Sequence, residues 1–181
     1  MAHQLEKLDD ELTSFIERQK IFFLATCGGQ EITLSPRGFD CFKVLGPKQA
    51  MYFDYYGSTD RTKRDVLAKG EITVMFTAFE GPSLILRLFC KGEPVERNDE
   101  RFSELVTHFP KANPDHIRHL MLLHIYCAET SCGETVPLYR YEGQRPGFVE
   151  YMDKYESNAQ LAKDFGQRFD LTPDLSPYRD K

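Results

Sequence analysis

The chain lacks the features that mark membrane, secreted and nucleic-acid-binding proteins. It contains no run of eighteen apolar residues, so we expect no membrane span. Residues 1–10 are polar and hold no apolar stretch, so we expect no secretory leader. The net charge is −5, whereas a nucleic-acid-binding surface rests on many phosphate contacts by Lys and Arg. We therefore expect neither a membrane nor a nucleic acid as partner.

Paired cysteines and common catalytic motifs are also absent. The five cysteines are an odd number, and no two of them form a CxxC pair. Cys27, Cys41 and Cys90 lie in or beside apolar runs, where a reduced cysteine behaves as a small hydrophobic residue. Cys132 stands in a loop-like stretch. This pattern predicts a reduced, cytoplasmic protein. No nucleophile elbow, P-loop or dinucleotide-binding glycine motif occurs.

The residues that are present favour one domain spanning residues 1–181. Hydrophobic residues make up 41% of the chain and include fourteen phenylalanines, enough for a sizeable core. Apolar residues at helical spacing predict an amphipathic helix over residues 5–19. Short runs rich in β-branched and aromatic residues then predict strands, most of them separated by turn residues. The predicted strands are 21–26, 31–35, 50–55, 71–79, 83–91, 123–129 and 137–141.

This succession of short strands predicts a closed or nearly closed antiparallel barrel with flanking helices. One helix is expected to follow Ser58 or Thr59 as its cap and to stop at Gly70. Others are expected over residues 99–109, from Asn113-Pro114 through about residue 121, and over residues 157–166. The fold class is therefore α+β and mainly β, with an N-terminal helix and a C-terminal helical extension.

Two stretches about twenty residues apart place hydroxyls and arginines at the ends of apolar runs. They are residues 32–39, ITLSPRGF, and residues 55–64, YYGSTDRTKR. Arginine offers a bidentate fork, while hydroxyls and turn amides supply neutral donors, a mixture that suits phosphate. A phosphorylated cofactor is the first hypothesis. A solvated loop followed by a charged helix start is an equally simple interpretation of these residues alone.

The position of the second stretch, residues 55–64, favours a phosphate site over a solvated loop. Arg61 and Thr62 fall in the first turn of a predicted helix, where free amides and the helix dipole favour an anion. Capping explains Ser58 equally well, but it does not explain basic residues at a helix N-terminus. In the first stretch, Ser35 and Arg37 share a strand face unless Pro36 disturbs the register, and a proline-kinked edge strand is the alternative.

Arg87 lies within an almost wholly apolar run, and four histidines stand further along the chain. A buried arginine needs a carboxylate, an anion, a ring to stack on, or an exposed edge. His116 and His119 share a face of a predicted helix, but no carboxylate or cysteine stands at a recognised ligand spacing. We therefore expect surface and helix-face histidines and no metal site.

Six blocks occur along nearly the whole chain in a fixed order. They are FFLAT (22–26), ITLSPRGFD (32–40), YFDYYGS (52–58), EITVMFTAFEGP (71–82), ILRL (85–88) and SCG (131–133), the last followed by Val136-Pro137. Together they resemble the pyridoxamine 5′-phosphate oxidase-related family of FMN-binding split-barrel proteins. The resemblance is to an uncharacterised branch of that family and not to the oxidase proper.

The resemblance implies a six-stranded split barrel that forms a homodimer with FMN at the subunit interface. It implies that Ser35 and Arg37 match phosphate-binding strand residues and that Arg61 and Thr62 match the phosphate-binding loop. Arg87 falls where a polar side chain contacts the flavin ring. The cofactor-binding residues that the resemblance implies are Ser35, Arg37, Tyr55, Tyr56, Ser58, Arg61, Thr62 and Arg87.

Two departures separate the chain from the oxidase proper. Asp60-Arg61-Thr62 replaces a Ser-Arg-Lys run, and residues 174–181 show no counterpart of the oxidase's C-terminal substrate-binding segment. The leading hypothesis is therefore an FMN-dependent oxidoreductase acting on an unknown small substrate. The alternative is a non-catalytic module that stores or senses flavin or haem, since the family also includes haem- and deazaflavin-using members. Haem binding would need an exposed histidine such as His116 or His119.

Overall fold

The computed structural model describes residues 2–29, 31–57, 60–166 and residue 177. Within them the chain forms eight strands and five α-helices. The strands are β1 (His3–Leu5), β2 (Phe22–Thr26), β3 (Thr33–Arg37), β4 (Phe42–Gly46), β5 (Gln49–Tyr55), β6 (Glu71–Thr77), β7 (Ile85–Glu96) and β8 (Ile117–Ser131). The helices are α1 (Asp10–Arg18), α2 (Arg61–Lys69), α3 (Phe102–Leu105), α4 (Pro146–Met152) and α5 (Asn158–Gly166).

The strands form one antiparallel sheet in the order β3-β2-β6-β7-β8-β5-β4, with β1 added beside β8. The sheet curls until its two ends approach. Phe22 of β2 packs against Phe42 of β4, with ring centroids 5.1 Å apart, although five strand steps separate the two strands within the sheet. The predicted α+β class and split barrel are confirmed. Within the described residues the sheet has eight strands where the resemblance implied six, and the sequence pattern did not predict β1 and β4.

Helix α1 lies close to its predicted place. The Asp9 side chain caps it by accepting a hydrogen bond from the Leu12 amide at 2.8 Å, and Phe15 and Ile16 are buried against the barrel. Helix α2 ends as predicted at Gly70, whose φ of 75° is the left-handed conformation that glycine adopts without strain.

The segment after Asn113 differs most from prediction. Only a 3-10 turn, Pro114–His116, precedes the fifteen-residue strand β8. β8 pairs with β5 on one edge and β7 on the other, and residues 119–123 are buried on both faces. A strand buried on both faces carries no alternation, so its apolar residues could be taken for one side of a helix. The predicted strand over 137–141 is irregular backbone.

The C-terminal helices pack on the outside of the barrel through a small second cluster. Met152 of α4 and Leu161 and Phe165 of α5 bury the ring of Tyr56. Ser157 caps α5 as predicted, because the Gln160 amide donates to its Oγ at 3.4 Å, but Gln160 Oε1 accepts from the Glu156 amide at 3.2 Å, one residue before the cap. Of the helices in the described ranges, none is long and apolar enough to cross a membrane.

Candidate functional site

The two stretches that carry hydroxyls and arginines, residues 32–39 and 55–64, converge at one end of the barrel. Strand register places Ser35 opposite buried Leu24 and Arg37 opposite buried Phe22, so both point to the inner face and Pro36 does not break the alternation. Arg37 Nη2 then reaches Asp54 Oδ1 of β5 at 3.0 Å. This ion pair joins strands that share no backbone pairing. We name the surrounding group the α2 site: Ser35, Arg37, Asp54, Asp60, Arg61, Thr62, Arg118 and His119.

The N-terminus of helix α2 forms one wall of the α2 site. Asp60 occupies the cap position, but its side chain makes no capping hydrogen bond, and the first turn holds no acidic residue. Arg61 and buried Thr62 follow directly. The predicted caps Ser58 and Thr59 lie outside the described residues. Among the described residues, no side chain caps this helix end, where first-turn amides and the helix dipole favour an anionic acceptor.

Arg118 of β8 ties the loop before α2 to the barrel. Its Nη1 lies 3.4 Å from Asp60 Oδ1, and its Nη2 donates to the Gly57 carbonyl at 3.2 Å. The guanidinium also lies over the Tyr56 ring, 5.3 Å from its centroid. The two aspartates of the α2 site therefore each face an arginine, Asp54 facing Arg37 and Asp60 facing Arg118.

Buried arginine nitrogens in the α2 site include donors that make no hydrogen bond within the described residues. The Nε atoms of Arg37 and Arg61 are both buried, and neither has a hydrogen-bond partner among the described residues. An unsatisfied buried donor costs about 1–3 kcal/mol, more when charged, so native structures rarely keep one without a reason. Both donors belong to cations beside the N-terminus of α2, where no described side chain caps the helix. This arrangement suits a ligand that brings several anionic oxygens.

His119 forms the inner floor of the α2 site. It is fully buried, and its two ring nitrogens make no hydrogen bond within the described part of the chain. Burial lowers the pKa of His119 to about 4, although Asp54, whose Oδ2 lies 3.7 Å from Nε2, acts in the opposite direction. The imidazole is therefore neutral at pH 7.

The side chains of Asp54, Asp60 and His119 approach one another closely enough to raise the question of a metal. Their ligand atoms all lie within 4.8 Å of one another. However, Arg37 and Arg118 pair with the two carboxylates, and a divalent cation would have to displace or repel both guanidinium groups. The surrounding charge suits an anion better than a cation.

The histidines differ from the sequence expectation. His116 and His119 are buried, and His119 lies on strand β8 and not on a helix. The His116 Nε2 atom is 3.2 Å from Asn113 Nδ2 and so has a structural partner. The prediction of surface and helix-face histidines is wrong for these two. His116 and His119, the two examples given for haem binding, are therefore not exposed, whereas His108 and His124 are.

Of the remaining predicted cofactor residues that are described, Tyr55 and Arg87 contact other parts of the molecule, and Tyr56 meets the α2 site through Arg118, which lies over its ring. Tyr55 packs against Phe39 and Phe148, whereas Tyr56 points into the C-terminal cluster and donates to Asn158 Oδ1 at 3.1 Å. Arg87 sits three strand steps from β3, on the opposite face of the sheet. Its Nη1 lies 3.5 Å from Glu129 Oε1 and 3.2 Å from Ser131 Oγ. Among the alternatives for Arg87, the structure shows a carboxylate.

Asp65, which sequence reasoning missed, anchors helix α2. Its buried Oδ2 accepts hydrogen bonds from Thr26 at 2.7 Å and Thr33 at 2.9 Å, and Arg64 binds its Oδ1. Burial alone would raise the pKa of Asp65, but these hydrogen bonds together lower it below its ordinary value. Arg64 also binds Glu31, and Lys63 binds Glu96. Much of the positive charge on α2 is therefore neutralised locally.

Asp54 carried a signal that sequence reasoning could have used. It is an acidic residue inside the apolar run MYFDYY. Like Arg87, it needs a partner there because a buried, unpaired charge is costly. Arg118 and His119 carried no comparable signal, because their segment was predicted to be helical.

Comparisons with known proteins relate the chain to one family. No family model matches it. The chain is 35% identical over 137 residues to the pyridoxamine 5′-phosphate oxidase family protein ustO of Aspergillus flavus. This match takes in 74% of the chain and 55% of ustO, so the chain spans about half the length of its curated relative.

Solved structures share the fold at low identity. A provisionally assigned pyridoxamine 5′-phosphate oxidase of Lactobacillus delbrueckii has a TM-score of 0.55 at 13% identity, over 68% of this chain and 94% of that one. HupZ of Group A Streptococcus has a TM-score of 0.52 at 12% identity, over 65% and 90%. The resemblance to the pyridoxamine 5′-phosphate oxidase-related family is thus confirmed: the chain is a homologue of a protein of that family and has the family's split-barrel fold.

Proposed function

We propose that this protein binds FMN, with the phosphate in the α2 site, and works as an FMN-dependent oxidoreductase on a small substrate. The observation that carries the proposal is the pair of buried Nε donors, on Arg37 and Arg61, beside the N-terminus of α2, which no described side chain caps. A phosphate group brings enough acceptor oxygens for both donors and for first-turn amides. The family of the curated relative supports FMN as the source of that phosphate.

The residues of the α2 site would hold and orient the cofactor. Arg61 and the first turn of α2 would bind one side of the phosphate, and Arg37 with the Ser35 hydroxyl would bind the side facing β3. Neutral His119 closes the floor and keeps water out. When bound, FMN supplies the electron-transfer chemistry, and the protein supplies position and electrostatics. Reduction of the bound flavin by reduced nicotinamide would favour an enzyme over a storage or sensing module.

The phosphate assignment predicts a selective loss of affinity. Replacing Arg61 with alanine should weaken FMN binding by about 10–100-fold, the worth of a charge-assisted hydrogen bond of ~1.5–3 kcal/mol. Riboflavin, which lacks the phosphate, should be affected far less. Quenching of flavin fluorescence during titration gives both dissociation constants.

Lys69 provides the matched control for this measurement. It is an exposed cation at the other end of the same helix, so K69A removes equal charge far from the site. Equal losses of FMN and riboflavin in R61A would refute the phosphate assignment. A native protein that binds neither flavin would refute the proposed function itself.

We propose further that the protein is a homodimer with the flavin at the subunit interface. The outer face of the sheet carries Phe23, Met75 and Phe89 in a half-buried state, and Leu34 beside them is 67% exposed. Arg87 lies on this same face, so it could contact only a flavin held by the second subunit. Partly exposed apolar side chains on neighbouring strands are the expected surface of such a contact.

Charge placed on that face should break the dimer. Leu34→Glu is expected to halve the mass measured by sedimentation equilibrium and to weaken FMN binding with it. Leu67 is the control, because it is a leucine of equal exposure, 66%, on helix α2. A monomeric native protein, or the same mass change with Leu67→Glu, would contradict the proposed interface.

A further inference from the structure

A large cleft opens beside the α2 site. Its volume is about 1280 Å³, and it lies between the C-terminal end of α1, the end of β3, the β6–β7 loop at residues 78–84, and residues 138–145, which we name the strap. Arg37 lines the cleft as well as the α2 site. Clefts of this size hold small organic ligands.

The strap brings aromatic rings to the cleft without burying them. It has no regular secondary structure, and it is held to the loop by hydrogen bonds from the Tyr139 amide to the Phe79 carbonyl at 2.9 Å and from the Tyr141 amide to Glu80 Oε1 at 3.1 Å. The Tyr139 ring packs on Phe79 yet remains 62% exposed, and Tyr141 remains 42% exposed. These rings offer flat surfaces for a planar ligand, with Lys20 Nζ over the Tyr141 ring at 5.9 Å from its centroid.

The cleft is cationic although the chain is acidic. The cations that line it are Arg18, Lys20, Arg37, Arg140 and Arg145, against three glutamates. Arg18, Arg140 and Arg145 make no hydrogen bond or ion pair with any described residue, whereas Glu80 is partly engaged by the Tyr141 amide. A local excess of positive charge on a protein of net charge −5 is the electrostatic complement of an anionic ligand.

The back wall of the cleft is held in a strained conformation. Phe39 and Asp40 have φ values of 63° and 51°, in the left-handed region that residues other than glycine rarely adopt. This backbone holds the Phe39 ring against Tyr55 and Phe148, between the cleft and a smaller aromatic cavity of about 560 Å³. Strain of this kind persists where it shapes a ligand site.

We propose that this cleft binds a planar aromatic carboxylate. The ring would lie against Tyr139, Tyr141 and Phe39, and the carboxylate would pair with the forked donors of Arg140 and Arg145. The site adjoins the α2 site and shares Arg37 with it, but the proposal does not depend on flavin binding.

The test compares two probes that share a ring but differ in charge. We expect 2-naphthoate, titrated by calorimetry, to bind at least tenfold more tightly than neutral 2-naphthylmethanol. The double variant R140A/R145A should lose about tenfold in naphthoate affinity and less than twofold in affinity for the alcohol. K154A/K163A removes two exposed cations outside the cleft and should leave both affinities unchanged.

Several other outcomes would overturn the proposal. Equal affinities for the two probes, or equal losses of naphthoate affinity in the two double variants, would show that Arg140 and Arg145 do not bind the carboxylate. Competitive displacement of naphthoate by FMN would make the cleft the flavin's own ring site. A change of molecular mass in R140A/R145A would make the strap a contact between subunits. Naphthoate binding by a protein that binds no FMN would support this site while refuting the proposed function.

Discussion

Replacing Gly28 with alanine should lower the free energy of unfolding by about 3 kcal/mol and the melting temperature by ~6–12 °C. A Cβ built on Gly28 would lie 2.4 Å from Asp65 Cα and 2.9 Å from Asp65 Cβ. The nearest atom belongs to the backbone of a helix, so helix α2 itself must move. That movement disrupts the two buried hydrogen bonds by which Thr26 and Thr33 hold Asp65.

Gly29 is the matched control for this prediction. Its added Cβ would meet the flexible end of Glu31 at 2.9 Å and Arg64 Nη2 at 3.4 Å, and both side chains can swing away. Neither glycine has a positive φ, so the two substitutions differ mainly in what the new methyl group meets. Gly29→Ala should change the free energy of unfolding by less than about 1 kcal/mol. Thermal unfolding followed by circular dichroism distinguishes the two, and similar melting temperatures would contradict the argument.

The second large effect is a loss of stability in mild acid that depends on His119. Its pKa is about 4 in the folded protein, chiefly through burial, and about 6.5 in the unfolded chain. Between these values the unfolded chain takes up a proton that the folded protein does not, so acid favours unfolding. The contribution is complete above pH 6.5 and falls by about 3 kcal/mol as the pH drops to 4.

Replacing His119 with leucine should remove this part of the pH dependence. Leucine is similar in size, and no hydrogen bond within the described residues is lost, because neither ring nitrogen makes one. The charged groups around the ring, Asp54, Lys63, Glu96 and Arg118, stay in place, so the difference between variant and native protein isolates the histidine.

Urea unfolding at pH 7, 6, 5 and 4 measures the effect. The native protein should lose stability relative to H119L with each step below about pH 6.5, by up to ~1.4 kcal/mol per unit. His108, which is exposed, provides the control substitution H108L. Parallel stability curves for H119L and the native protein would show that the buried imidazole does not titrate in this way.

Local signals in the sequence were sufficient for much of the fold. Apolar residues at helical spacing located α1, and Gly70 located the end of α2, because each depends on a few neighbouring residues. The second half of β8 was predicted as a strand over residues 123–129, but its first half, residues 117–122, could not be located in this way. Its burial on both faces comes from β5 and β7, which lie far away in the sequence.

In the candidate site, too, local sequence patterns revealed some residues, and tertiary packing decided the rest. Arg37 and Arg61 were found because arginines at strand ends and helix starts are unusual in themselves. Their unused Nε donors, and the aspartates that hold the neighbouring guanidinium groups, result from tertiary packing and leave no mark in a local pattern. Tyr56 shows the reverse case, since a residue next to the site in sequence points away from it and into the C-terminal cluster.

The ion pair between Arg37 and Asp54 has a thermodynamic consequence. The sheet has two ends, β3 and β4, and within the described ranges no backbone ladder joins them. Side chains complete the barrel across this seam, among them Arg37 and Asp54. A ligand that binds Arg37 therefore contacts the seam between the two ends of the sheet and not a single strand alone. Occupancy of the site and closure of the seam are therefore linked equilibria, in which tighter binding makes the whole sheet harder to open.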